Sequence, residues 1–250
     1  MTALFKLFEV GGCVRDEILG KKSKDIDFTV VFDEDFIKEH KSMSVDWFFK
    51  TMVSVLKGVG FEVFLETEEC FTVRARFPKT HKHNGLTADF VMARKETGYD
   101  TESRKPKIEM GTLFDDLERR DFTVNAIAKD EDGKLIDFFG GLEDLEKGLL
   151  KTPIEPLISF LDDPLRVIRM WRFAITKGFI MDEDTEKASL DPKVWEKFEK
   201  VVSKERIREE LFKMFEQDTL GSLLLVEKLP MNVKFILFGD KRLWFKPTLK

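Results

Sequence analysis

Asp25 and Asp27 stand one residue apart in "DIDFTVVF", a run whose apolar residues recur at every second position. On a strand, residues two apart point the same way. The two carboxylates therefore share one face, while Ile26, Phe28, Val30 and Phe32 share the other, which reads as a core face. Two carboxylates held close repel each other unless something positive offsets them. Hard divalent cations such as Mg²⁺ prefer carboxylate oxygens and keep positions open for substrate phosphates. Two such ions roughly 3.5–4 Å apart can activate an attacking hydroxyl and stabilise a leaving pyrophosphate. For an isolated D-x-D, a solvent-facing pair on an edge strand is the plainer reading.

The surroundings change that weighing. Gly11 and Gly12 follow a strand pattern, "LFKLFEV", and precede a short helix pattern that runs through Leu19. Glycines there let backbone approach a ligand, and a helix N-terminus attracts phosphate through its free N–H groups. Arg15 falls in the first turn and could reach the same anion. A glycine turn, a basic first turn and paired aspartates on the next strand together suit a metal and a triphosphate.

The elements that must position these residues alternate in the first part of the chain. Asp33 to Lys57 reads as helix, with Trp47, Val53, Val55 and Leu56 among polar residues. "FEVFLE" and "FTVRARF" read as a hairpin, and "TADFVMAR" as a further strand. Lys95 to Lys107 is polar and reads as a mobile loop. Short helical pieces occupy Thr112 to Ala128, and Asp132-Gly133 marks a hairpin between two apolar runs. Beyond about Lys151 helix patterns dominate: Asp163 to Lys177, Asp182 to Leu190, Pro192 to Val202 and Ser203 to Gln217. A domain boundary is placed there, giving residues 1–150 and 151–250. "FILFGDKRLWFKPTLK" has no assigned structure.

Composition narrows the class. The chain has 250 residues, 42% hydrophobic and 36% charged, and a formal net charge of −5. That argues against a protein that coats nucleic acid, so a polyanion would be met by local patches: Lys21, Lys22 and Lys24; Lys79, His81, Lys82 and His83; Arg104, Lys105 and Lys107. No apolar run suits a membrane span, and "MTALFKLFEV" lacks the layout of a signal peptide. Cys13 and Cys70 are too few for a disulfide framework, and a reducing cytoplasm is the expected setting.

Six blocks carry a resemblance: "GGCVRD" with "DIDF", "ADFVMARKETGYD", "LERRDFTVNAIA", "IDFFGGLEDLEKGLLKT", "DDPLRVIRMWRFA" and "SKERIREEL". In this order, over residues 5 to about 215, they resemble the class II tRNA nucleotidyltransferases and bacterial poly(A) polymerases. These are a branch of the polymerase-β-like nucleotidyltransferases. The resemblance implies an α+β fold: a nucleotidyltransferase head with a mixed β-sheet flanked by helices, then an all-α neck. It implies addition of CMP or AMP from CTP or ATP to the 3′ end of a tRNA or another RNA, with Mg²⁺. The CCA end of tRNA is the expected acceptor; A-only or poly(A) addition, and a non-catalytic nucleotide or RNA binder, are the alternatives. Family members usually continue into body and tail domains, so a short form is expected, with a reduced grip on RNA or a dimer among the options.

Position by position, the resemblance implies that Asp25 and Asp27 hold the metals and that Gly11, Gly12 and Arg15 contact the triphosphate. Arg94 and Arg120 would organise the nucleotide, with Asp121 and Asn125 near the ribose or the metal water shell. Asp163, Arg166 and Arg169 belong to the block that reads the base, where Asp163 and Arg166 would bond its edge. The residues themselves leave some of this open. Asp89 is either a third carboxylate or a structural partner of Arg94 or Arg120. Arg119 and Arg120 are adjacent and are not expected to share one direction, so one would bind phosphate and the other be solvated. Asp163-Pro164 also reads simply as a helix start. Arg166, Arg169 and Arg172 recur every three residues and need anionic or aromatic partners, which a cleft holding nucleotide and RNA would supply. His40, His81 and His83 read as surface residues.

Overall fold

The structure is a computed structural model that describes residues 4–23, 26–81, 83–99 and 106–239. Asp25 lies outside the described residues, as do Lys24, Lys82, Arg104 and Lys105 and the end of the chain from 240. The packing of the backbone divides the chain into two units. The first holds residues 1–120 and 125–141; the second holds 121–124 and 142–250.

The first unit is built on a mixed sheet. Strand β1 (Phe5–Val10) leads through the glycine turn into helix α1 (Gly12–Ile18), and β2 (Ile26–Phe32) follows. Two helices come next, α2 (Glu34–Glu39) and α3 (Val45–Gly58), where one long helix was expected. The break follows from capping. Asp33 caps α2 by accepting from the Asp35 and Phe36 amides, and Ser44 starts α3 anew by accepting from the Trp47 amide at 3.2 Å. Strands β3 (Glu62–Thr67) and β4 (Thr72–Arg76) form the expected antiparallel hairpin, and β5 (Thr87–Met92) pairs with β4.

The described parts of the expected Lys95–Lys107 loop are strands, and residues 100–105 lie outside the described residues. Strands β6 (Arg94–Tyr99) and β7 (Pro106–Met110) pair antiparallel, with Arg94 opposite Met110. They form a two-stranded sheet of their own. Helix α4 (Leu113–Glu118), closed by a reciprocal cap between Thr112 and Asp115, leads to β8 (Ile127–Lys129) and β9 (Leu135–Asp137). The β8–β9 turn contains Gly133 at φ +83°, as the Asp-Gly pair predicts.

The seven-stranded order is β3-β4-β5-β2-β1-β8-β9. β2 is thus central, not an edge, paired antiparallel to β1 and parallel to β5. Ile26, Phe28, Val30 and Phe32 are all buried, as their alternation predicts. Phe28 stacks on Phe90 at 5.1 Å, and Phe32 meets Phe48 of α3 edge-on at 5.2 Å. Phe48, Phe49, Met52, Val53 and Leu56 form the buried stripe of α3. The opposite face is covered too. Leu113 and Leu117 of α4 pack with Val10, Ala126 and Ala128, and Phe8 and Val31 border that cluster. Each fully buried large side chain contributes about 1.5–3 kcal/mol, so β2 is pinned from both sides.

The second unit is helical. It contains most of α5 (Gly141–Lys147), then β10 (Leu149–Leu150), α6 (Pro156–Asp162), α7 (Leu165–Lys177) and β11 (Ile180–Met181), which pairs parallel with β10. Helices α8 (Glu183–Ser189), α9 (Pro192–Val201), α10 (Lys204–Gln217), α11 (Thr219–Lys228) and α12 (Met231–Phe238) complete it. α12 takes in the first residues of the unassigned C-terminal stretch. Trp171 of α7 stacks on Trp195 of α9 at 5.8 Å, and the Trp195 indole donates to the Ser189 carbonyl at 2.9 Å. Among the described residues, no helix is long and apolar enough to cross a membrane.

Candidate active site

Gly11 ends β1 with φ +75°, a backbone that side chains other than glycine rarely adopt. A Cβ there would lie 2.8 Å from Arg120 Nη1 and 3.8 Å from Asp27 Oδ2. The glycine turn, the aspartate of β2 and the arginine that follows α4 therefore meet at one spot. Two of the six blocks, the first and the third, are brought together there. Gly12, in helical backbone, is less constrained: its Cβ would sit 3.5 Å from Arg15 Nη2.

Asp27 is half-buried on the central strand, on the face opposite Phe28. Across the parallel β2–β5 pair its direct partner is Asp89, so the two acids share one side of the sheet. Asp89 is not held by Arg94 or Arg120. Its two oxygens take Nε and Nη2 of Arg74 at 2.7 and 2.5 Å, the residue opposite it on β4. The Arg94 guanidinium carbon lies 5.8 Å from the centre of the Phe71 ring. A Cβ on Gly111 would strike the Arg94 backbone at 2.6 Å, so this glycine allows β6 and the start of α4 to close on each other.

Arg15 is buried, with 5% exposure. Its Nη1 donates to Asn125 Oδ1, and its Nε and Nη2 donate to Asp16 Oδ1 at 2.9 and 2.8 Å. Arg15 and Asn125 are thus brought together beneath the turn.

Arg119 and Arg120 converge, contrary to expectation. Both reach Asp116, one turn back on α4: Arg119 Nη2 bonds Oδ1, and Arg120 Nη2 bonds Oδ2 at 2.9 Å. Thr29 of β2 donates its hydroxyl to the same Oδ2 at 2.6 Å. The i, i+3 and i, i+4 spacing puts all three residues on one helical side. That spacing is readable in "DDLERR", where Asp116 is the site residue absent from the sequence reading. Burial alone would raise the Asp116 pKa, but Arg120, Arg119 and the Thr29 hydroxyl outweigh it and hold the carboxyl at about 2, below its ordinary 3.8.

That depression fixes a pH dependence. A carboxyl with a lowered folded-state pKa adds stability that is complete above its unfolded value and is lost as pH falls through the folded one. At 1.36 kcal/mol per pKa unit, Asp116 contributes about 2 kcal/mol that disappears between roughly pH 4 and pH 2. Denaturant titrations over this range should show a shallower acid decline for Asp116→Asn than for the natural protein. Parallel declines would contradict the account.

The other expected residues form a cluster of their own in the second unit. Asp121 Oδ2 accepts from Arg169 Nε and Nη2 at 3.0 and 2.6 Å. Arg166 Nη1 donates to the Ser159 hydroxyl at 2.7 Å and to its carbonyl at 3.1 Å. Arg172 pairs with buried Glu210 of α10 and lies over the Phe173 ring, 4.1 Å from its centre. Each of these three arginines has a partner within the protein. Burial pushes the Arg166 and Arg172 pKa values down; at Arg169 burial acts the same way, but the Asp121 charge and hydrogen bonds prevail and raise it. Asp163 precedes α7 by two residues and accepts from the Leu165 amide at 3.1 Å; Arg206 reaches its other oxygen at 3.3 Å.

The histidines take structural places. His40 packs on Phe36 and Trp47, with ring centres 4.3 and 5.1 Å away. His81 and His83 join Phe28 and Phe77 in a groove of about 280 Å³ on the sheet face away from Asp27. Among the described residues no group of three or more histidine, cysteine, aspartate or glutamate side chains is placed to hold a metal ion. The donor chemistry near Asp27 suits a hard cation: its oxygens lie beside the turn, and the neighbouring Asp89 is already matched by Arg74.

Comparison with known proteins identifies the family. Residues 7–151 match the poly A polymerase head domain. The chain is 37% identical over 214 residues to a tRNA nucleotidyltransferase of Schizosaccharomyces pombe, covering 82% of this chain and 42% of that protein. It is 35% identical to the CCA-adding enzyme of Limosilactobacillus reuteri, covering 84% and 45%. It therefore spans less than half the length of these relatives. Among solved structures, the Thermotoga maritima CCA-adding enzyme complexed with tRNA superposes with a TM-score of 0.68 at 26% identity, over 97% of this chain and 50% of that one. A tRNA nucleotidyltransferase complexed with a primer tRNA and an incoming ATP analog gives 0.67 at 30% identity, over 94% and 59%. A head-domain match over more than half of the chain, with the glycine turn, Asp27 and Arg120 assembled around a mixed sheet, places this chain in the class II CCA-adding nucleotidyltransferase family.

Proposed function

We propose that this chain transfers a nucleoside monophosphate from CTP or ATP to the 3′-hydroxyl of an RNA, and that the acceptor is the CCA end of a tRNA. The carrying observation is the meeting of Gly11, Asp27 and Arg120 at one point of the central strand. The relatives that bind primer tRNA, CTP or an ATP analog support the same substrates.

In the proposed reaction the RNA 3′-oxygen bonds to the α-phosphorus of the nucleotide as the bond to the β-bridging oxygen breaks, releasing pyrophosphate. Asp25 and Asp27 are the residues that would hold Mg²⁺. When bound, the ion supplies a more acidic hydroxyl and neutralises charge on the leaving phosphates. The glycine turn gives the triphosphate backbone N–H groups without a side chain in the way. Arg120 adds positive charge at the same spot. Asp163 offers an acceptor and Arg166 a set of donors to the base edge. Their own protein partners fix their orientation beforehand, which lowers the entropy lost on binding.

The test is incorporation of labelled CTP or ATP into tRNA lacking its CCA end, in Mg²⁺, with product lengths read out. Addition of two C and one A supports the proposal. Addition of A alone in the presence of CTP would move the reading to A-adding or poly(A) synthesis. No addition to any RNA end would overturn it.

A further inference from the structure

The residue that organises the arginines is none of those the sequence points to as contacting substrate. We propose that Asp116 is a positioning residue, which locks Arg120 against the Gly11 turn before any nucleotide arrives and ties it to the strand that carries Asp27. The inference rests on the nucleotidyltransferase reading and deepens it.

Three observations carry it. Asp116 is fully buried, and a buried carboxylate is tolerated only when its charge is matched. Here it meets two guanidiniums, so the three groups together keep one positive charge in excess. Second, that excess has a direction. Arg120 spends Nη2 on Asp116, while its Nη1 faces the open glycine turn. Its Nε is buried without a hydrogen-bond partner among the described residues. Third, Thr29 sits two residues after Asp27 on the same face of β2, and its hydroxyl donates to the oxygen that also holds Arg120. Arg120 Nη2 lies 3.4 Å from that hydroxyl. Acid, arginine and strand thus share a single small network, whose parts move together if at all. Arg119 holds the other oxygen and is 40% exposed, which assigns it to charge balance and Arg120 to the turn.

The test separates positioning from mere folding. Steady-state kinetics with CTP and a tRNA lacking CCA would be measured for Asp116→Asn, Arg120→Gln and the double variant. The expected result is a rise of about tenfold in the KM for CTP with Asp116→Asn, as a charge-assisted contact is lost, and a KM for RNA within about twofold. In the Arg120→Gln background the same change should add less than about twofold, because groups acting through one another are not additive. Thr29→Val should raise the CTP KM about threefold and Thr29→Ser should restore it, since only the hydroxyl differs in kind. Independent, multiplying effects of Asp116 and Arg120 would overturn the proposal, as would equal losses on both KM values. If Asp116→Asn does not fold, the Thr29 pair decides alone. Should the natural protein add nothing to any RNA, the function reading fails separately. Calorimetric binding of CTP by the same variants then decides the proposal: an unchanged affinity in Asp116→Asn rejects it.

Discussion

Asp27→Ala should lower nucleotide addition by about a thousandfold or more, since a misplaced metal forfeits several kcal/mol of transition-state stabilisation. The fold should survive. Asp27 points away from the Phe28 face, and the strand beneath it is held by β1 on one side and β5 on the other. A thermal melt should therefore still show a cooperative transition. The measurement is single-turnover incorporation of CTP beside a thermal melt. Activity within about tenfold of the natural protein would remove Asp27 from the chemistry.

Gly11→Ala should be nearly as damaging, for a geometric reason. With φ +75° and ψ −135° Gly11 lies outside the regions open to side-chain residues, at a cost of about 1–3 kcal/mol for an alanine. The added methyl would also press on Arg120 Nη1 from 2.8 Å. A guanidinium at the end of a free side chain would step aside cheaply, but this one is tied to Asp116 and cannot do so without breaking an ion pair. A displacement of about 1 Å at a reacting site costs on the order of a hundredfold in rate, and that is the loss expected in kcat/KM for CTP. Gly12→Ala is the control. Its backbone is helical, its Cβ would meet Arg15 at an ordinary 3.5 Å, and alanine favours the helix. It adds a methyl to the same turn without backbone strain, so its loss should be smaller than that of Gly11→Ala. A Gly11→Ala enzyme as active as Gly12→Ala would show that the turn is not a close-approach site.

What the sequence made legible was local. Strand alternation located the buried face of β2 residue by residue, and an Asp-Gly pair located the β8–β9 turn. Both signals depend on neighbours in the chain. The partners of the charged residues do not. Asp89 pairs with Arg74 because the register of β4 against β5 sets them opposite each other, fifteen residues apart in sequence. Arg169 finds Asp121 48 residues earlier, and Arg172 finds Glu210 38 residues later. No periodicity announces such pairings. The strands at 94–99 and 106–110 are polar in sequence and lack the alternation of apolar residues that marked β2.

The second unit borrows a tetrapeptide. Residues 121–124 belong to it, although β8 and β9 of the first unit follow them in the chain. Phe122 meets Phe173 edge-on at 5.8 Å, the Thr123 hydroxyl donates to Asp144 at 2.6 Å, and the Thr123 amide donates to the Lys151 carbonyl at 2.8 Å. No single scission of the polypeptide can therefore release two whole pieces. A fragment starting at residue 142 would lack an aromatic plug, leave Asp144 without its hydroxyl donor, and fray at its first turn. Dissection of this protein has to proceed by substitution in place, or by grafting those four residues back onto the excised helices.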